Sequence, residues 1–424
     1  MVDLPNSGKH GDQCLFKTTG EWKQHMRSSK AVSADREQAI AFRLDSHHLA
    51  ARLPPGSLAA AAGACGIQDS PPGSAALALH ARVSGLTPNA IIRELTDKAL
   101  LMAMSFRGAP LIFPTSDADV FTAGVLPDDE ESLRFFIQGA GAGLDKVGMS
   151  ATELVDLTAA AMATALDGRA LTKDELGVEI GNRVAGQLDA GRRTGWQSAS
   201  LYAPGQFLGE SLARFAMYAV SLQGLFCYVP RQENKARFVR MDQWLGAMLP
   251  AADQSKARAE LVRRYLHCYG PSTPEHFAQW AGISPAQASR AWALVEDKLV
   301  GVDFEGKSAW LLRDDVTRFM SSRTPAGVRF LPPHEPLLQM RDRDTIVPDK
   351  SWHRKLWRTV GNPGIVLVDG MATAAWRSRK SGRRMSIAIE PFDLFPHEKR
   401  QEIEAEAAML APYSGCTSVM VEYK

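Results

Sequence analysis

With 424 residues, at about 100–200 residues per domain, the sequence is long enough for about three domains. Hydrophobic residues make up 45% and charged residues 23%, which excludes a disordered chain, a collagen-like repeat and a disulfide mini-protein. No run approaches the roughly 18 apolar residues of a membrane span, and a net charge of +2 means that any nucleic-acid surface has to be a local patch.

Residues 1–34 are polar and aperiodic and read as a flexible tail. Ile40, Phe42, Leu44 and Leu49 then mark a helix that stops at Pro54-Pro55-Gly56. Helices follow at Ser57–Cys65, Ala75–Val83 and Ile91–Leu95. Leu100–Phe106 and Leu111–Phe113 flank Arg107-Gly108-Ala109-Pro110, a hairpin pattern. The order of helices then hairpin recurs. Thr152–Leu166 is helical, and Thr172-Lys173-Asp174-Glu175 caps the next helix. Met217–Val220 and Leu225–Val229 then flank Ser221-Leu222-Gln223-Gly224 as a second hairpin.

The third pass is the clearest. A helix at Leu261–Tyr269 stops at Gly270-Pro271, and Ser272-Thr273-Pro274-Glu275 opens a short helix ending at Gly282. Ser284-Pro285 opens a longer helix to Leu299, and Glu305-Gly306-Lys307 joins two strands. This is the order of a winged helix-turn-helix. Beyond Arg329, strands at Ile365–Val368, Ala372–Trp376, Met385–Ile389 and Thr417–Glu422 surround a helix at His397–Leu410. The expected class is α+β. Tandem winged-helix units at 35–128, 129–250 and 251–322 precede a β-rich α+β module at 323–424.

The second helix of a helix-turn-helix enters the major groove and its wing touches the backbone. Here Gln287 and Arg290 share a helix face from which both could reach base edges, and Lys307 lies on the wing. A basic stretch runs from Lys350 to Arg384. It carries nine cations, among them Arg354, Lys355, Arg377, Arg379, Lys380, Arg383 and Arg384, against the single acid Asp369. Trp352, Trp357 and Trp376 interleave with them, as on a phosphate-binding face. No histidine or cysteine has metal-ligand spacing, and no cofactor motif is present. The five cysteines are scattered and odd in number and no signal region opens the sequence, so the chain reads as cytoplasmic.

Ser105-Phe106-Arg107-Gly108-Ala109-Pro110-Leu111-Ile112-Phe113-Pro114 resembles the arginine-glycine hairpin of the bacterial winged-helix DNA-binding family that includes the DNA glycosylases AlkZ and YcaQ. The segments at 237–244 and 331–338, with Arg341-Asp342-Arg343, Val366-Leu367-Val368-Asp369-Gly370 and Trp376-Arg377, continue the resemblance in order, from about Phe42 to the C-terminus. It implies a C-shaped arrangement of tandem winged helices acting on double-stranded DNA, with Arg107 on a hairpin that approaches a groove. Glycosylases of the family carry a Gln-apolar-Gln or Gln-apolar-Asp triplet. The matching place here is Gly66-Ile67-Gln68, followed by Asp69. Gln68 would orient the attacking water and Asp69 would act as base or counter-charge. Gly66 can do neither, and Asp69 before Pro71-Pro72 also suits a turn. Three readings therefore stay open: a glycosylase for alkylated or bulky-adducted bases, a non-catalytic DNA binder or regulator, and an interaction scaffold with no DNA role.

Overall fold

The computed structural model describes residues 32–231, 235–393 and 395–424. In chain order its strands are β1 Val32–Ala34, β2 Ile67–Gln68, β3 Leu100–Met104, β4 Pro110–Pro114, β5 Phe226–Tyr228, β6 Phe238–Arg240, β7 Leu299–Phe304, β8 Lys307–Leu312, β9 Val328–Leu331, β10 Gly364–Val368, β11 Met371–Ser381, β12 Arg384–Pro391 and β13 Ser418–Tyr423. They form three sheets in the orders β2-β4-β3-β5-β6, β1-β7-β8 and β13-β12-β11-β10-β9, set among helices in a mixed α+β fold. Among the described residues no helix is long and apolar enough to cross a membrane.

Most of the expected tail lies outside the described residues. Its last residues do not stay free, because β1 adds to β7 in parallel. The first hairpin forms as expected, with Leu100↔Pro114 to Met104↔Pro110 in register. The second does not. Met217–Val220 lies inside the helix Leu208–Leu222, whose buried residues include Leu212, Ala216, Met217 and Val220. That helical spacing wins over the short strand-like reading, and Gly224 at φ 74 sits just past the helix end in the left-handed region. β5 then pairs with β6 and, through Tyr228↔Met102, with β3. The first two expected units therefore share one five-stranded sheet instead of carrying one hairpin each.

Between them, the capping box at Thr172 and Glu175 is present and starts the helix Lys173–Ala185. The third segment follows the sequence closely. Helices Gln254–Tyr269 and Pro274–Ala281 are followed by Pro285–Ala293, shorter than expected, and then by the β7–β8 hairpin. Thr273 and Ser284 accept hydrogen bonds from the His276 and Gln287 backbone N–H groups at 3.3 and 3.1 Å, which caps two successive helices. Glu305 and Gly306 both have positive φ, as a two-residue hairpin turn with the twist of its strands requires. Asp369 and Gly370 repeat this between β10 and β11. The helix Arg400–Ala408 covers the last sheet, burying Ile403 and Ala407 against Trp376, Ile387 and Ile389.

Candidate functional site

β2 is a short edge strand held on β4 by Ile67↔Ile112 and Gln68↔Leu111, and the Asp69 N–H extends the ladder to the Pro110 carbonyl at 2.9 Å. Side chains alternate along such a strand. Ile67 is fully buried, Gln68 turns to the other side, and Asp69 turns back. Gln68 meets Arg107 at the tip of the first hairpin. Arg107 has φ 56 and is followed by Gly108 at φ 64. A side chain at 108 would collide with Tyr218, 2.7 Å from an ideal Cβ. This left-handed turn aims the guanidinium inward, where Nη2 donates to Gln68 Oε1 at 3.3 Å and Nη1 to the Trp280 carbonyl. The Gln68 carbonyl end is thus held, leaving its NH2 end for other partners. Gln68 and Arg107 line one pocket with Trp280, His334 and Gln339. Burial, reinforced by the charge of Arg341, pushes Arg107 down to about 9. Burial, with Arg107, also lowers His334.

Asp69 does not join this pocket. Its Oδ1 accepts hydrogen bonds from the backbone N–H groups of Gly73 and Ala75 at 2.7 and 3.2 Å, at the start of the helix Ser74–Arg82. Its Oδ2 faces Arg231 at 3.9 Å. The expected pairing of Gln68 with Asp69 in one site therefore gives way to opposite orientations. Gly66 is not an empty place for a missing amide either. It has φ 73, and a Cβ there would lie 2.7 Å from Leu111 Cδ2. Burial raises the Asp69 carboxyl above its ordinary range, against the pull of its backbone hydrogen bonds and Arg231. A raised value gives stability below the unfolded carboxylate range that is lost as pH rises through the folded value. Asp69→Asn keeps an acceptor for the cap. It is expected to flatten that part of the Tm-versus-pH curve and to leave the Gln68–Arg107 hydrogen bond intact. A pH–Tm profile identical to wild type would contradict this.

The expected groove-reading pair is engaged within the fold. Gln287 is buried, and its Nε2 donates to the Val125 carbonyl at 2.9 Å. Arg290 Nη2 bridges Asp128 and Asp129, each at 2.6 Å. Gln287 thus packs the helix Pro285–Ala293 against the 125–129 segment, and Arg290 pairs with that segment's acids at the surface. Lys307 is exposed on β8.

The basic C-terminal stretch divides in two. Lys350 pairs with Asp344 and Lys355 with Glu390, both at 3.0 Å, and both acids lie outside the stretch. Trp352 and Trp376 are buried, and Trp357 is partly buried with its indole N–H donating to the Leu338 carbonyl at 2.9 Å. The tryptophans are thus packing residues, not a stacking surface. Arg354 is exposed. The β11–β12 tip keeps Arg377, Arg379, Lys380, Arg383 and Arg384 exposed. Lys380 donates to the Ser414 carbonyl at 2.7 Å. Among the described residues no carboxylate lies within ion-pair distance of the tip arginines.

The sequence offered no chemical reason to single out Arg341, Arg343 and His334. Burial lowers Arg341, and burial with the charge of Arg341 pushes Arg343 down to about 10. Arg343 lies over the Trp357 ring at 4.8 Å. Arg341 thus lowers both Arg107 and Arg343, and among the described residues neither Arg341 nor Arg343 has a carboxylate at ion-pair distance, an environment suited to an anion. The available signal was the spacing Arg341-Asp342-Arg343, in which Asp342 turns away to Arg43 at 2.7 Å.

Known proteins share both the sequence pattern and the fold. The family model described as DNA glycosylase AlkZ-like matches residues 61–413. An interstrand DNA cross-link repair glycosylase of Streptomyces sahachiroi is 23% identical over 400 residues, 92% of this chain and 99% of that protein. The solved structure of the Streptomyces sahachiroi DNA glycosylase AlkZ is similar with a TM-score of 0.72 at 21% identity, covering 93% of this chain and 100% of that one.

Proposed function

The chain belongs to the DNA glycosylase AlkZ-like family, and we propose that it removes alkylated or bulky-adducted bases from duplex DNA by hydrolysing the N-glycosidic bond. In this reading the helix and hairpin segments act as tandem winged-helix units in a C-shaped arrangement around the duplex. The observation that carries the reading is Gln68, held by Arg107 in a shared pocket, with Arg107 in turn in the field of Arg341.

The chemistry asks little of the protein. An N7-alkylated purine is cationic while bonded and departs neutral, so it is already a good leaving group. The enzyme has to hold a water on the far side of C1′ and place the nucleotide. The Gln68 amide can orient that water, and its hydrogen bond from Arg107 limits the orientations it samples. Arg341 and Arg343 are suited to the flanking phosphates, which would neutralise them. Asp69 anchors the turn that follows the strand. The Streptomyces relative is named for interstrand cross-link repair, which makes bulky guanine adducts a substrate class worth testing here too.

The test is incubation with duplex containing N7-alkylguanine, scoring abasic sites. Binding without abasic product would favour the non-catalytic binder, and absence of binding the interaction scaffold. For the β11–β12 tip, replacing Arg379, Lys380, Arg383 and Arg384 together by Ala is expected to weaken binding to all duplex sequences alike. The slope of log K against log salt should become shallower by roughly 0.9 for each phosphate that the tip no longer neutralises. An unchanged slope removes the tip from the interface.

A further inference from the structure

Directly behind the strand that carries Gln68, three residues distant in sequence meet. They are His47 at the end of the helix Arg36–Ser46, Cys65 just before β2, and Cys268 in the last turn of the helix Gln254–Tyr269. Their exposures are 0%, 2% and 0%. One donor atom from each lies within 4.8 Å of those of the other two. His47 Nδ1 is 3.6 Å from Cys65 Sγ. With Zn–S about 2.3 Å and Zn–N about 2.0–2.1 Å, tetrahedral angles place a sulfur and a nitrogen ligand about 3.6 Å apart.

The imidazole is otherwise poorly satisfied. Among the described residues its Nε2 is buried without a hydrogen-bond partner, and Nδ1 has only the sulfur contact. A metal bond at Nδ1, the nitrogen that faces Cys65 Sγ, would replace that weak sulfur contact with a strong partner and fix the ring proton on Nε2. The Tyr269 hydroxyl lies 3.9 Å from Cys65 Sγ while donating to the Pro336 carbonyl at 2.7 Å, so an oxygen stands at the cluster as a fourth donor. The neighbouring Arg82 is already balanced by Glu335.

We propose that His47, Cys65 and Cys268 bind one divalent cation of the zinc class, with Tyr269 Oη positioned to complete the coordination. Two thiolates and a neutral imidazole around a dication leave no net charge in the core, and the nitrogen–sulfur donor set selects zinc-like ions over magnesium or calcium. Binding releases one proton from each thiol. The ion would clip together the first helix, the residues leading into the Gln68 strand and the helix Gln254–Tyr269. Its role is to hold the pocket wall, not to touch DNA. Spacing in the sequence hides the set, because His47 and Cys65 are 18 positions apart and Cys268 lies over two hundred further on.

Untagged full-length protein is prepared under reducing conditions, incubated with zinc and dialysed. It is expected to retain about one zinc per chain. Cobalt in place of zinc should give thiolate-to-cobalt charge-transfer absorption in the near ultraviolet. Cys65→Ser and Cys268→Ser should lose that absorption. Cys227→Ser, which alters a buried thiol on β5, should keep it. The wild-type measurement decides even if a variant fails to fold. Wild type that stays metal-free with both thiols free, or that forms a Cys65–Cys268 disulfide instead, overturns the proposal. So does a Cys65→Ser/Cys268→Ser variant that retains the cobalt spectrum.

Discussion

Gln68→Ala is expected to lower the single-turnover rate of base release by about 10²–10³, the range for removing one preorganised hydrogen-bonding group. Duplex affinity should stay unchanged. The residue lies on an edge strand whose pairing to β4 runs through the backbone, so truncating the side chain leaves the strand in place. What disappears is the amide that Arg107 holds at 3.3 Å. Arg107 then keeps its bond to the Trp280 carbonyl and has no polar partner left in the pocket at residue 68. Single-turnover kinetics on an N7-alkylguanine duplex separate this from weaker binding. A variant that releases base at the wild-type rate would remove Gln68 from the mechanism.

Glu335→Ala is expected to cost about 3–5 kcal/mol of stability, because it leaves a buried guanidinium without its partner. Arg82 and Glu335 are both buried and form a two-pronged pair, with Nη1 to Oε2 at 3.1 Å. Burial alone would lower Arg82, but Glu335 more than compensates and holds it above its ordinary value. Glu335 also accepts from the Leu337 backbone N–H at 3.2 Å, so the acid ties the 332–339 loop to the helix Ser74–Arg82. That loop carries His334 and Gln339 into the pocket. Chemical denaturation of the variant should show the destabilisation, and Arg82→Met/Glu335→Leu should recover much of it by removing both charges. Equal destabilisation of single and double variants would show that packing, not the unpaired charge, is responsible.

Features legible in the sequence were those whose cause lies within a few residues. The caps at Thr172, Thr273 and Ser284 each act on the backbone three positions ahead. The turns at Glu305-Gly306 and Asp369-Gly370 depend on local positive φ. Arg107 was legible as a hairpin residue beside a glycine. Met217–Val220 misled because four apolar residues fit a strand as well as a helix, and only the longer period to Leu222 decides between them. Gln287 looked like a reading residue because polarity on a helix suggests solvent. The Val125 carbonyl that satisfies it lies far away in sequence.

By itself, then, the sequence determined the α+β class, the third helix-and-hairpin segment, four of the five C-terminal strands and the candidacy of Gln68 and Arg107. The tertiary structure decided which groups face one another. It turned Asp69 into a cap, neutralised Arg290 with Asp128 and Asp129, buried Trp352 and Trp376 of the basic stretch, and joined β5 to a sheet begun more than a hundred residues earlier. It also brought His334 into the pocket of Gln68, Arg341 within the field of Arg107, and His47 together with Cys65 and Cys268. The physical reason is one of range. Capping and turn chemistry are satisfied by the backbone within a turn or two of the residue concerned. The charge state and orientation of a buried side chain depend instead on partners that only the folded chain brings within a few ångströms.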